Sequence, residues 1–207
     1  MAISYPLTFP TITGVQAVTL RAVNQTALTM SPFTYKQQVH NHSGQRWEAE
    51  IQVPRMKYEK AEVWISFLLS LNGMSGTFLM GDPMRKTTRG VLGGTPVVNG
   101  ASQVGSSVSI DGCSTNITGW IKAGDYIQLG SASTATLHKV LQDVNTNASG
   151  QATLDLWPSI RTAPADGATI VTSSCAGRFR LSSGQQEWSV DNALLYGITF
   201  AAIEAIT

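Results

Sequence analysis

A chain of 207 residues with 43% apolar side chains can bury one full core or two small ones, which excludes a disordered polymer. Charged residues make up 13% of it, and a formal net charge of +1 excludes the whole-chain basic field of a nucleic-acid or anionic-membrane binder. The charge is split unevenly, with three basic and five acidic side chains in residues 91–177 against eleven and eight elsewhere, as two differently built modules would have it.

Met1-Ala2-Ile3-Ser4-Tyr5-Pro6 lacks a basic segment followed by an apolar one, so a secretory leader is not expected and folding in a cytosol is. Strands are expected over 15–21, 33–39 and 46–53. The third alternates strictly, with Trp47, Ala49, Ile51 and Val53 on one face and Arg46, Glu48, Glu50 and Gln52 on the other. His40-Asn41-His42-Ser43-Gly44-Gln45 reads as the turn between the second and third strands, and Pro54 as the end of the third. A helix is expected over 58–71. Tyr58, Ala61, Ile65 and Leu68 recur at helical spacing, Trp64 and Leu71 widen the stripe, and Asn72-Gly73 supplies a left-handed stop. Residues 76–80 read as a further strand, and Gly76-Thr77-Phe78-Leu79-Met80-Gly81-Asp82-Pro83 as the point where one domain is interrupted.

From 91 to 177 helical periodicity is absent. Short strands are expected over 107–111, 126–129, 136–141, 153–157 and 169–172, separated by Gly, Asn and Pro clusters, a pattern of a small sandwich or barrel. Alternation resumes over 178–181 and 195–203, where Tyr196, Ile198 and Phe200 lie two apart. The expected fold class is mainly β: a β-barrel or sandwich domain from 1–90 and 178–207 with one flanking helix, and an inserted all-β module from 91–177.

Chemistry is sparse. His40 and His42 stand two apart on what would be one face of a strand, but no third ligand accompanies them, and no metal is assigned. His138 reads as a mid-strand side chain satisfied by its neighbours. No nucleophile elbow, phosphate-cradling glycine loop or Cys-x-x-Cys pair occurs, so no catalytic residue and no cofactor is assigned. Residues 91–177 contain no Glu, so a glycoside hydrolase would need a pair among Asp111, Asp125, Asp143, Asp155 and Asp166, several of which sit in turn contexts. Trp120 and Trp157 are candidates for a glycan-stacking platform or for core positions. Arg85, Lys86 and Arg89 form a small basic patch, either a solvated linker or a contact for a neighbouring subunit or DNA. Cys113 and Cys175 read as free buried thiols, with a disulfide between them as the alternative.

The motif order Phe33-Thr34-Tyr35-Lys36-Gln37-Gln38-Val39, Trp47-Glu48-Ala49-Glu50-Ile51 ending in Pro54, the helix end at 64–73 and Gly76–Pro83 resembles minor tail proteins of long-tailed bacteriophages, in particular the distal tail protein type. Ile121-Lys122-Ala123-Gly124-Asp125-Tyr126-Ile127-Gln128-Leu129-Gly130 with Leu137-His138-Lys139-Val140 is similar to the inserted β-module of such proteins. The resemblance implies a tail-tube-like β domain, six copies of which close a ring around the DNA channel and join the tail tube to the distal tip or baseplate. It implies a non-enzymatic virion protein made in the host bacterial cytoplasm. Its partners would be itself, the tail tube protein, the tail hub and other tail-tip proteins, with DNA passing only transiently and no membrane insertion. A host-surface carbohydrate-binding module and, behind it, a cell-wall hydrolase are the rival expectations.

Overall fold

The computed structural model describes residues 3–206; Met1 and Ala2 of the expected leaderless start, and Thr207 at the end of the expected discontinuous domain, lie outside the described residues. Strands β1 (Leu7–Thr8), β2 (Ala17–Met30) and β3 (Gln37–Met56) precede helix α1 (Tyr58–Ser70) and strand β4 (Phe78–Met80). Then come β5 (Gly94–Val98), β6 (Gly105–Cys113), β7 (Tyr126–Leu129), β8 (Thr136–Val140), β9 (Ala152–Ile160) and β10 (Ile170–Val171). The chain closes with β11 (Gly177–Leu181), β12 (Trp188–Val190) and β13 (Tyr196–Glu204).

These strands form two sheets. The first runs β1-β4-β11-β13-β3-β2, with β12 also paired to β13, and curves as a half-barrel. The second runs β10-β7-β8-β9-β6-β5, and an antiparallel bridge from Val97 to Thr169 brings its two edges together into a nearly closed barrel. The protein is mainly β, with one α-helix among the described residues, and that helix is not long and apolar enough to cross a membrane.

Alternation in β3 decides which face of the first sheet is core. Trp47, Ala49, Ile51 and Val53 are buried, and β13 meets them in register, Phe200 opposite Ile51 and Ile198 opposite Val53. Helix α1 lays Ala61, Trp64, Ile65 and Leu68 on this face with Phe67, and Phe9, Phe78 and Phe179 complete an aromatic cluster beneath it. Asn72 and Gly73, at φ of 49° and 64°, end the helix as expected. Tyr58 departs from the stripe: it is 59% exposed at the first helical position, its ring 6.0 Å from that of Tyr196 at the start of β13.

Three expectations about β2 and β3 are corrected. Residues 40–45 are not a turn but part of β3, and the reversal lies at 31–36, closed by Ser31 N–H to Lys36 carbonyl and Tyr35 N–H to Ser31 carbonyl bonds, both 2.9 Å. Residues 33–36 therefore belong to the turn, with Tyr35 at φ 53°, and only 37–39 of that expected strand are strand. Pro54 does not end β3, which continues to Met56. The ladder to β13 shifts register between Tyr196 and Ile198, and a missing N–H is tolerated at such an irregularity. Strands β1, β5 and β12 escaped the sequence reading, being short or rich in Gly and Pro.

The chain leaves the first sheet at Met80 and returns at Gly177, and these two residues are paired partners on β4 and β11. Close approach is enforced beside them: a Cβ on Gly81 would collide with the Cys175 carbonyl oxygen, so only glycine fits. Residues after 81 already run along the barrel, with Ser174 N–H donating to the Lys86 carbonyl (2.7 Å). The barrel has its own core around Ile110, Trp120, Ile127 and Leu154. Its outer residues Tyr126 and Leu137 nevertheless join the core of the first sheet, where Trp47 donates its indole N–H to the Leu137 carbonyl (2.9 Å) and stands edge-on to Trp157 at 4.5 Å.

Candidate assembly surface

A group of exposed apolar side chains, Phe33, the most exposed of them, included, lies on the far half of the β2–β3 hairpin. The ladder between these strands is regular from the Ala17–Gln52 pair to the Asn24–Gln45 pair, then shifts, and the next partners are Thr26 and Asn41. Gln25 alone therefore faces His42, Ser43 and Gly44, a bulge that bends the ribbon. Beyond it every residue to 44 is exposed except Ser31. Phe33 is 92% exposed and Tyr35 73%, and the directly opposed pair Leu28 and Val39 is about equally uncovered. Lys36 is the one formally charged residue of 22–45. A two-stranded ribbon with nothing against its faces is marginal in water, and an apolar tip of this kind marks an interaction surface. The ribbon is thus an arm whose sequence suits a covered state.

Trp120 is not available to a glycan: it is fully buried in the barrel, its indole N–H donating to the Gly93 carbonyl (3.0 Å). Trp157 lies elsewhere, half-buried against Trp47 and donating to Asn24 Oδ1 (2.7 Å), so the two tryptophans form no common platform. Of the basic patch, Arg89 is committed to the barrel. Its backbone N–H and Nε reach the buried Asp125 carboxylate, and its guanidinium also donates to the Ala123 carbonyl. Arg85 and Lys86 remain exposed on the connecting segment.

Three of the five candidate aspartates, Asp125, Asp143 and Asp166, accept from backbone N–H groups. Asp125 also accepts from Lys122 N–H (3.0 Å), Asp166 accepts from Gly100 N–H (2.7 Å), and Asp143 accepts from Ala123 N–H (2.8 Å) and the Lys122 ammonium (3.0 Å). The Ala123 bond first, then Lys122, hold the Asp143 carboxyl below its ordinary range. His138 is buried, one ring nitrogen 2.7 Å from the Pro158 carbonyl and the other 2.9 Å from Thr136 Oγ1, and burial holds its pKa below the ordinary value. The rings of His40 and His42 touch edge to face at 4.6 Å on the arm, and among the described residues no group of three metal-ligating side chains forms. Cys113 and Cys175 are free, buried thiols, each pushed up to about 11 by burial, which keeps them protonated and unreactive.

Concavities lie away from the arm as well. One of about 740 Å³ lies open on the first sheet among Gln52, Arg55, Trp188 and Thr199. Another, about 380 Å³, sits where barrel and sheet meet and contains His138 and the Arg161–Glu204 ion pair (2.9 Å). No buried side-chain nitrogen or oxygen among the described residues lacks a hydrogen-bond partner. The arm was missed in the sequence because polar and apolar residues alternate only weakly along it, neither face being buried. The signal that marks it is a run of 24 residues, 22–45, with a single formal charge. No protein-family model matches the chain, and no curated protein matches it.

Proposed function

We propose that the protein is a structural subunit of a bacteriophage tail tip, closing with five further copies into a ring that joins the tail tube to the distal tip around the DNA channel. The observation that carries this reading is the bare β2–β3 arm, with Phe33, Tyr35, Leu28 and Val39 uncovered and a single formal charge along its length. A surface of that kind favours burial against a neighbour, and a head-to-tail contact repeated with closure gives a cyclic assembly. The motif order of residues 33–83 supports the phage assignment, and the low overall charge supports a surface that spends its life packed.

Native mass spectrometry and negative-stain images of the protein with its tail neighbours test the reading. Six-fold rings are expected, together with loss of rings but not of folding when residues 26–41 are replaced by a two-residue Asn-Gly turn. A single copy or plain two-fold symmetry on the tail axis, or rings that persist without the arm, would overturn it.

A further inference from the structure

The bulge at the root of the arm is a natural hinge. Around Gln25 the ladder is interrupted while three residues of β3 pass one of β2, and Gly44 approaches so closely that a Cβ there would lie 2.9 Å from Gln25 Cγ. Ladder bonds alone leave the direction of the ribbon soft at this point. The last regular pair before the bulge is Asn24 with Gln45, and both side chains are bound by the barrel. The Trp157 indole N–H donates to Asn24 Oδ1 (2.7 Å). Ser159 donates its backbone N–H (2.7 Å) and its hydroxyl (3.0 Å) to Gln45 Oε1, and Arg161 donates to the Gln45 carbonyl.

Trp157 and Ser159 of β9 and Arg161, the first residue past its end, are alternate residues on the outward side, while Leu156, Pro158 and Ile160 between them are buried. That face is itself held in place. Arg161 is paired with Glu204 of β13 (2.9 and 3.2 Å), and the same carboxylate accepts the Trp47 N–H of β3 (3.0 Å). Three donor side chains at strand spacing, converging on the two residues beside a hinge, exceed what joining two sheets requires, since the Trp47–Leu137 contact already does that.

We infer that the barrel is a buttress which sets the direction of the arm, with Trp157, Ser159 and Arg161 as positioning residues and Asn24 and Gln45 as the points they grip. The inference rests on the assembly reading only for its purpose, because the direction of the arm is a property of the single subunit. Spin labels on Thr29→Cys in the arm and Ala148→Cys on the barrel report it by pulsed electron paramagnetic resonance on dilute monomer, and the two native thiols are buried and stay unlabelled. One narrow distance distribution is expected in the parent. A distribution broadened about twofold or more is expected with Asn24→Ala plus Gln45→Ala, at a melting temperature within about 3 °C. Trp157→Phe, which keeps the ring against Trp47 and removes only the N–H, serves as the milder second variant and should broaden it less. A distribution already broad in the parent, or one unchanged by both variants, would overturn the buttress whether or not rings form.

Discussion

His138 shows how a residue with no catalytic role still carries a pH signature. Neutral, it donates Nδ1–H to the Pro158 carbonyl and accepts from the Thr136 hydroxyl at Nε2, and burial lowers its pKa. The folded chain then binds fewer protons than the unfolded one just below the ordinary histidine value. The stabilisation is therefore complete above about pH 6.5 and is lost as pH falls below it, by up to about 1.4 kcal/mol per pH unit until the folded value is reached. Thermal melts at pH 7.5, 6.0 and 5.0 should show a steeper acid decline for the parent than for His138→Asn, which keeps a donor toward Pro158 and does not titrate. Parallel curves would place the acid sensitivity elsewhere. The ordinary signals at this position, a histidine inside an apolar alternating run, pointed to a satisfied neighbour, and the structure agrees.

At the scale of elements, α1 is the brace of the first sheet. Leu68 is 1% exposed and Ile65 is buried beside it, so Leu68→Ala should cost roughly 2–5 kcal/mol once the cavity is included. Glu59 is exposed in the first turn, and Glu59→Ala should stay within about 0.5 kcal/mol in the free subunit. Urea denaturation of both variants checks the contrast; equal midpoints would mean that the stripe is not core. The helix was legible because its 3.6-residue period, its left-handed stop and its burial all agree. Tyr58 was not, since periodicity assigns a face but does not tell how far along the helix that face stays covered. The hairpin failed for a similar reason. Polar and apolar residues alternate only weakly along 24–45, where neither face is buried, so nothing in the alternation separated strand from turn; Pro32 was the better turn signal, and Tyr35 at φ 53° is where the chain reverses.

For the whole molecule the test is how far the first sheet stands without the barrel. Its entry and exit are adjacent, Met80 being paired with Gly177, so a short Gly-Ser linker replacing residues 82–175 closes with little entropy. The cut removes Tyr126 and Leu137 from the core of the first sheet and leaves the Trp47 indole N–H without the Leu137 carbonyl. A cooperative melt is expected to survive, destabilised by roughly 3–6 kcal/mol from exposed apolar surface and the lost bond. Calorimetry of the excised protein checks it, and loss of every folded signal would show that the two sheets share one core.

By itself the sequence determined the β class, the helix and its stop, the buried face of the third strand and most barrel strands, because each rests on local periodicity or on a residue with restricted backbone. Only the tertiary structure decided that residues 40–45 continue a strand, that Trp120 is core while Trp157 grips the root of an arm, and that Arg89 is committed to Asp125. Those outcomes depend on which strands become neighbours across a separation of up to 133 residues, as between Asn24 and Trp157, and pairing at that range is settled by packing and register, which no local pattern encodes.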